Sequence, residues 1–199
     1  MNHLIGQGFS QHLARACCWA VAVSVLPPLQ HLVRASVPGQ VWATDFQFDS
    51  DWKGRVFKVC NVIDEFTRQH LALRVERRMG AVDVIEMLDL AVLTHGAPQV
   101  LRADNGLEFI AAGVGRWDSE HDTLQAFIPP GQPWHNGFVE SLHNRMRDEF
   151  LEDNMFEDLD HARALIGAWS RRYNEEYPHS ALGWLSPNQY ARQWAQHHQ

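Results

Sequence analysis

The sequence predicts an α/β fold whose elements run β-β-β-α-β-α-β-α-α, with one short helix more at the end. Three observations predict it. Three segments between Val41 and Glu76 favour strands, two of them alternating with period two, and short turns join them. The hydrophobic period then changes to that of a helix, returns to strand twice, and ends helical. Gly and Pro fall at the changes, as at Gly96 and Pro98.

Residues 1–36 read as a poorly defined N-terminal extension, and 37–199 as the folded core with a C-terminal helical segment. The apolar run Ala16–Leu26 stops at Pro27-Pro28 and is too short to span a bilayer. It also fits the core of a signal peptide, although its only upstream charge is Arg15. From Val41 to Phe48, Trp42, Thr44, Phe46 and Phe48 share one strand face, and Val41, Ala43, Asp45 and Gln47 share the other. Arg55–Ile63 is a β-branched strand, and His70–Glu76 alternates as a one-sided edge strand. Short turns make these three an antiparallel meander.

Val84, Leu88, Ala91, Val92 and His95 follow helical spacing. Gln99–Asp104 is the fourth strand, reached through that helix and so parallel to a neighbour. Glu108–Trp117 begins like a helix that Gly113 and Gly115 weaken. Thr123–Ile128 is the fifth strand, and Pro129–Gly137 a Pro/Gly loop. Phe138, Leu142, Met146 and Phe150 give the next helix its buried stripe. A long helix follows the N-cap Asp158, with Leu159, Ala162, Ile166, Trp169 and Tyr173 inward. Ser186-Pro187 opens the last helix.

Composition narrows the function classes. The net charge is −7, and residues 37–199 hold 15 basic against 24 acidic side chains, a net of −9. That excludes a passive coat on nucleic acid, but not an enzyme whose acidic site takes metal ions. Three cysteines, Cys17, Cys18 and Cys60, make no disulfide framework, and a reducing, cytoplasmic setting fits. No C-x-x-C accompanies the 12 histidines, which argues against a zinc finger.

The chemistry points to carboxylates. Asp45 lies inside the first strand and Asp104 ends the fourth, so adjacency of those strands brings them together. Glu140 lies opposite the expected stripe of its helix, with Asn144 and Arg147 at i+4 and i+7 on the same side. Three oxygen ligands from separate elements, without a Cys/His cluster, suit two Mg²⁺ or Mn²⁺ ions. Two such ions about 4 Å apart activate a hydroxyl and stabilise the leaving oxygen in phosphoryl transfer. The same residues also fit a salt-bridged strand Asp and a solvated helix Glu.

The motifs "DNGLEFI", "PPGQPWHNGFVESLHNRMRDEFL" and "YNEEYPHSALGWLSPNQYA" occur in order. Together they resemble the integrase-like catalytic core of bacterial insertion-sequence transposases, relatives of retroviral integrases, from about Val37 to Trp194. "WATDF" resembles the family's first-aspartate strand, and 35 residues separate Asp104 from Glu140, as in the family's DDE spacing. The resemblance implies a ribonuclease-H-like mixed sheet of five strands flanked by helices, strands one to three antiparallel. It implies Asp45, Asp104 and Glu140 as catalytic metal ligands. Trp134, Asn136, His143, Asn144, Arg145 and Arg147 are implied on the DNA-facing surface. Cleavage at transposon ends and strand transfer into target DNA are the implied activities. A homo-oligomer in a synaptic complex, with an upstream helix-turn-helix frame product, is the implied assembly, away from any membrane. The alternative is a non-autonomous remnant that binds DNA or full-length transposase without catalysis.

This chain departs from the family pattern at Leu107 (proline is usual), His143-Asn144 (Asn-Gly), Tyr177 (arginine) and at Gly113 and Gly115. His95 reads as a cap-region histidine, Glu108 as a solvated helix start, and Arg68 as a salt-bridge partner of the Asp64-Glu65 turn. Trp169, Tyr173, Tyr190 and Trp194 read as core. Arg171-Arg172 fits a solvated face or a DNA contact.

Overall fold

The computed structural model describes residues 33–104, 112–128 and 136–198. The strands are β1 (Val41–Ser50), β2 (Val56–Asp64), β3 (His70–Glu76), β4 (Val100–Ala103) and β5 (Leu124–Phe127). The helices are α1 (Ala81–His95), α2 (Ala112–Glu120), α3 (Gly137–Met146), α4 (Leu159–Glu176) and α5 (Pro187–His197). One sheet holds all five strands in the order β3-β2-β1-β4-β5. β1 to β3 pair antiparallel, while β4 runs parallel to both β1 and β5. The expected mixed sheet and its antiparallel first three strands are therefore present.

The sheet is buried on both faces, which the period-two pattern of β1 dictates. On one face Trp42, Cys60, Val62 and Leu101 pack with Val84, Met87, Leu88 and Ala91 of α1 and Trp117 of α2. On the other, Ala43, Phe57, Val59 and Ile63 pack with α3 and α4. Val33 and Ala35, from the end of the expected extension, rest beside Val41 and Val100. Residues 1–32 lie outside the described residues.

Local chemistry explains the boundaries. Gly96 ends α1 at φ 77°, its N–H on the Val92 carbonyl. Asp158 caps α4 by accepting from the His161 N–H at 2.9 Å. Ser186 and Gln189 cap α5 reciprocally. Trp169 and Tyr173 are core, whereas Tyr190 and Trp194 are half-buried against Phe66, with ring centres 5.8 and 4.7 Å away.

Two elements differ from their sequence periods. In β3 the register steps from Ile63↔His70 to Val62↔Ala72, a bulge at Leu71. Leu71 thereby packs on the α1 face and Leu73 on the α3 face, not together as strict alternation predicts. In α3 the buried stripe is Val139, Leu142 and Met146, one residue off at its start, and Phe138 is half-buried. The helix then widens into a π turn over Arg147–Leu151, and the next buried side chain is Leu151, not Phe150. At the sheet edge Asn174 of α4 clamps β3. Its Oδ1 accepts from the His70 N–H at 2.8 Å and its Nδ2 donates to the His70 carbonyl at 2.9 Å.

Candidate active site

The sheet register sets two of the three carboxylates level with each other. Thr44 pairs with Ala103, so Asp45 and Asp104 follow at the same level of adjacent parallel strands. Glu140 stands in the first turn of α3, which packs over β1. Burial is the largest influence on Asp45 and raises its pKa from 3.8 to about 6. The hydrogen bond from the Phe46 N–H, 2.7 Å, acts against that rise, and the charges of Asp104 and Glu140 add to it. The charges of Asp104 and Glu140 thus both reach Asp45. Among the described residues no three His, Cys, Asp or Glu side chains are arranged to hold a metal ion together as they stand.

His143 closes the site from above. The Asn61 amide nitrogen donates to its Nε2 at 2.9 Å, and its Nδ1 lies 3.9 Å from Asp45 Oδ2. An acceptor Nε2 leaves the proton of a neutral ring on Nδ1, the atom facing Asp45. Burial, with the Arg147 charge second, pushes His143 down to about 4, so the ring is neutral at neutral pH. Gln47 fixes the backbone there by donating to the His143 carbonyl at 3.0 Å. Asn61 and Gln47 were not singled out from sequence. A fully buried amide in the apolar run "VCNVID" was the available signal.

The other expected DNA-facing residues divide. Arg147 donates to the Phe48 carbonyl at 3.1 Å and thus ties α3 to β1. Arg145 points to the opposite flank of α3, 3.5 Å from Glu149 and with its guanidinium 5.6 Å from the Tyr177 ring centre. Asn144 is exposed. Asn136 is buried at the start of α3, its Oδ1 without a hydrogen-bond partner. Trp134, Leu107 and Glu108 lie outside the described residues. Tyr177, where the family pattern has arginine, also receives Arg172, which donates to its hydroxyl at 3.1 Å.

Two models, each described as an integrase core domain, match residues 35–133 and 121–187. The chain belongs to the integrase core family. An insertion element IS476 protein of Xanthomonas euvesicatoria is 36% identical over 81% of this chain and 47% of its own length. An IS407 protein of Burkholderia multivorans is 35% identical over 81% of this chain and 58% of its own. The chain therefore spans about half the length of the curated relatives it matches. Among solved structures, the HTLV-2 integrase catalytic core domain in complex with magnesium matches with a TM-score of 0.63 at 16% identity. That match covers 79% of this chain and 99% of the other. A simian T-cell lymphotropic virus intasome chain matches with a TM-score of 0.70, also at 16% identity, over 80% of this chain and 56% of its own. At such identity the integrase cores share the ribonuclease-H-like fold with this chain.

Proposed function

We propose that this integrase core is the catalytic part of an insertion-sequence transposase, cutting DNA at element ends and joining 3′-hydroxyls to target DNA. One observation carries the reading: Asp45, Asp104 and Glu140 come from three separate elements, and the charges of the latter two both act on partly buried Asp45. The donor set is oxygen only, which fits Mg²⁺ or Mn²⁺ and excludes a thiolate metal. The three carboxylates would hold the metal, with His143 orienting Asp45 and Asn61 orienting His143. Bound metal would supply Lewis-acid stabilisation of the phosphoryl transition state. Synaptic chemistry on two ends implies a homo-oligomer on DNA.

The test is strand transfer by purified protein on end-bearing DNA with Mg²⁺. Asp104→Asn is expected to abolish joining, and unchanged joining overturns the assignment. That the carboxylates are not gathered to hold an ion as they stand favours a second reading, a remnant that binds DNA without catalysis. Wild-type protein that binds ends but never joins them would select it.

A further inference from the structure

The flank of α3 away from the carboxylates borders a cavity of about 1020 Å³. Phe138, Ser141 and Arg145 face it from α3, and Arg68, His179 and Tyr173 face it from elsewhere. On a helix with 100° per residue, these α3 positions point nearly opposite to Glu140, His143 and Arg147. The cavity is therefore a second site, separated from the carboxylates by the helix itself.

Two of its polar side chains, Arg68 and His179, each bury a nitrogen without a hydrogen-bond partner. Arg68 sits at φ 62° in the β2–β3 turn with its guanidinium 3.9 Å from the Phe138 ring centre. Its Nη1 is buried without a hydrogen-bond partner, and among the described residues it makes no ion pair, contrary to the expected salt bridge. His179 Nε2 is likewise buried and unpartnered, its ring edge-on to Tyr173 at 5.3 Å. Burial, then the charges of Arg145 and Arg68, push His179 down to about 4, so both guanidinium charges reach the same space. Among the described residues Glu65 is the one acid lining it, and Arg102 holds that acid at 2.5 Å with both side chains buried. The N-terminal turn of α3 adds the positive end of its dipole.

Buried donors without acceptors are costly, and a cavity holding two loosely paired guanidinium groups is matched by an anion. Aromatic walls beside the charges favour a nucleotide over an acidic peptide. The chain as a whole carries −7, so attraction for a polyanion must be local. We propose that this cavity binds a phosphate group of a DNA strand, with Arg68 and Arg145 as its ligands. The proposal rests on the transposase reading and adds a docking point away from the reaction centre.

The experiment is fluorescence anisotropy of the full chain with a labelled oligonucleotide in EDTA, so that metal plays no part. Arg145→Gln and Arg68→Gln should each weaken binding on the order of tenfold and lower the salt slope by about one. Exposed Arg116→Gln, off the cavity, should do neither. Circular-dichroism melting checks that each variant folds. Arg145, tied only to the surface, carries the test if Arg68→Gln does not fold. Inorganic pyrophosphate should raise the wild-type melting temperature and leave Arg145→Gln unmoved. Equal losses for Arg116→Gln and Arg145→Gln would show diffuse attraction and overturn the site. Unchanged oligonucleotide binding by folded Arg145→Gln overturns it too. A response to pyrophosphate or polyglutamate without oligonucleotide binding would overturn the DNA assignment. Loss of binding in the cavity variants, with no joining by wild type, would sink the catalytic reading alone.

Discussion

The two flanks of α3 have opposite electrostatics. On one, burial raises Asp45, and the charges of Asp104 and Glu140 add to the rise. On the other, Arg68 and Arg145 surround a neutral histidine. Each flank carries mostly one sign of charge. The helix keeps both imbalances apart with one buried stripe, Val139, Leu142 and Met146. In the proposed reading, its charge pattern marks where outside charge would be accepted: cations on one flank and anions on the other.

The sharpest way to break this comparison is Asp104→Asn. It should cut joining on the order of 10³-fold while DNA binding in EDTA persists, because the metal-stabilised transition state loses a ligand. Strand-transfer rates and anisotropy, read side by side, check it. Loss of binding in step with joining would show that the flanks are not independent.

Leu142→Ala attacks the divider. Leu142 is 1% exposed in the core, and its truncation should cost about 2–5 kcal/mol in denaturant unfolding. Both flanks should weaken together, unlike any change on one of them. His143→Ala is milder. It removes the ring beside Asp45 and should slow joining about tenfold, as for a group that orients a ligand, with oligonucleotide affinity unchanged. A fall in affinity with no change in rate would place His143 on the DNA instead.

The smallest expected effect is of pH. His70, His143 and His179 are each pushed down from 6.5 by burial, to about 3, 4 and 4. All three are held neutral, so their contribution is full above pH 6.5 and is lost as the pH falls through the depressed values. Thermal melting followed from neutral to acid pH should show a falling midpoint. A flat profile would mean that these rings titrate normally in the fold.

Most of the sheet was legible because strand burial leaves a local period. Val41–Ser50 shows both of its faces in its own sequence. The carboxylates were legible because a mid-strand acid and an acid at a strand end break that period. The cationic flank was not. Arg68 and His179 are far apart in sequence, and each alone reads as a turn residue or a loop residue. Their common cavity forms only when the C-terminal segment folds back on β2. The offset of the α3 stripe was hidden for a different reason. Phe138 is as apolar as Val139, and only the guanidinium above its ring shows why it stays half-buried. The bulge at Leu71 and the π turn at Arg147 each shift the phase by a residue, which no fixed period predicts.

The Asn174 clamp bears on the open edge of the sheet. An open strand edge invites a stranger's strand to extend the sheet. At His70 the outward N–H and C=O are already held by a side-chain amide that mimics the missing neighbour. A docking chain would have to displace it, so at the β3 end the sheet resists growth into a ribbon.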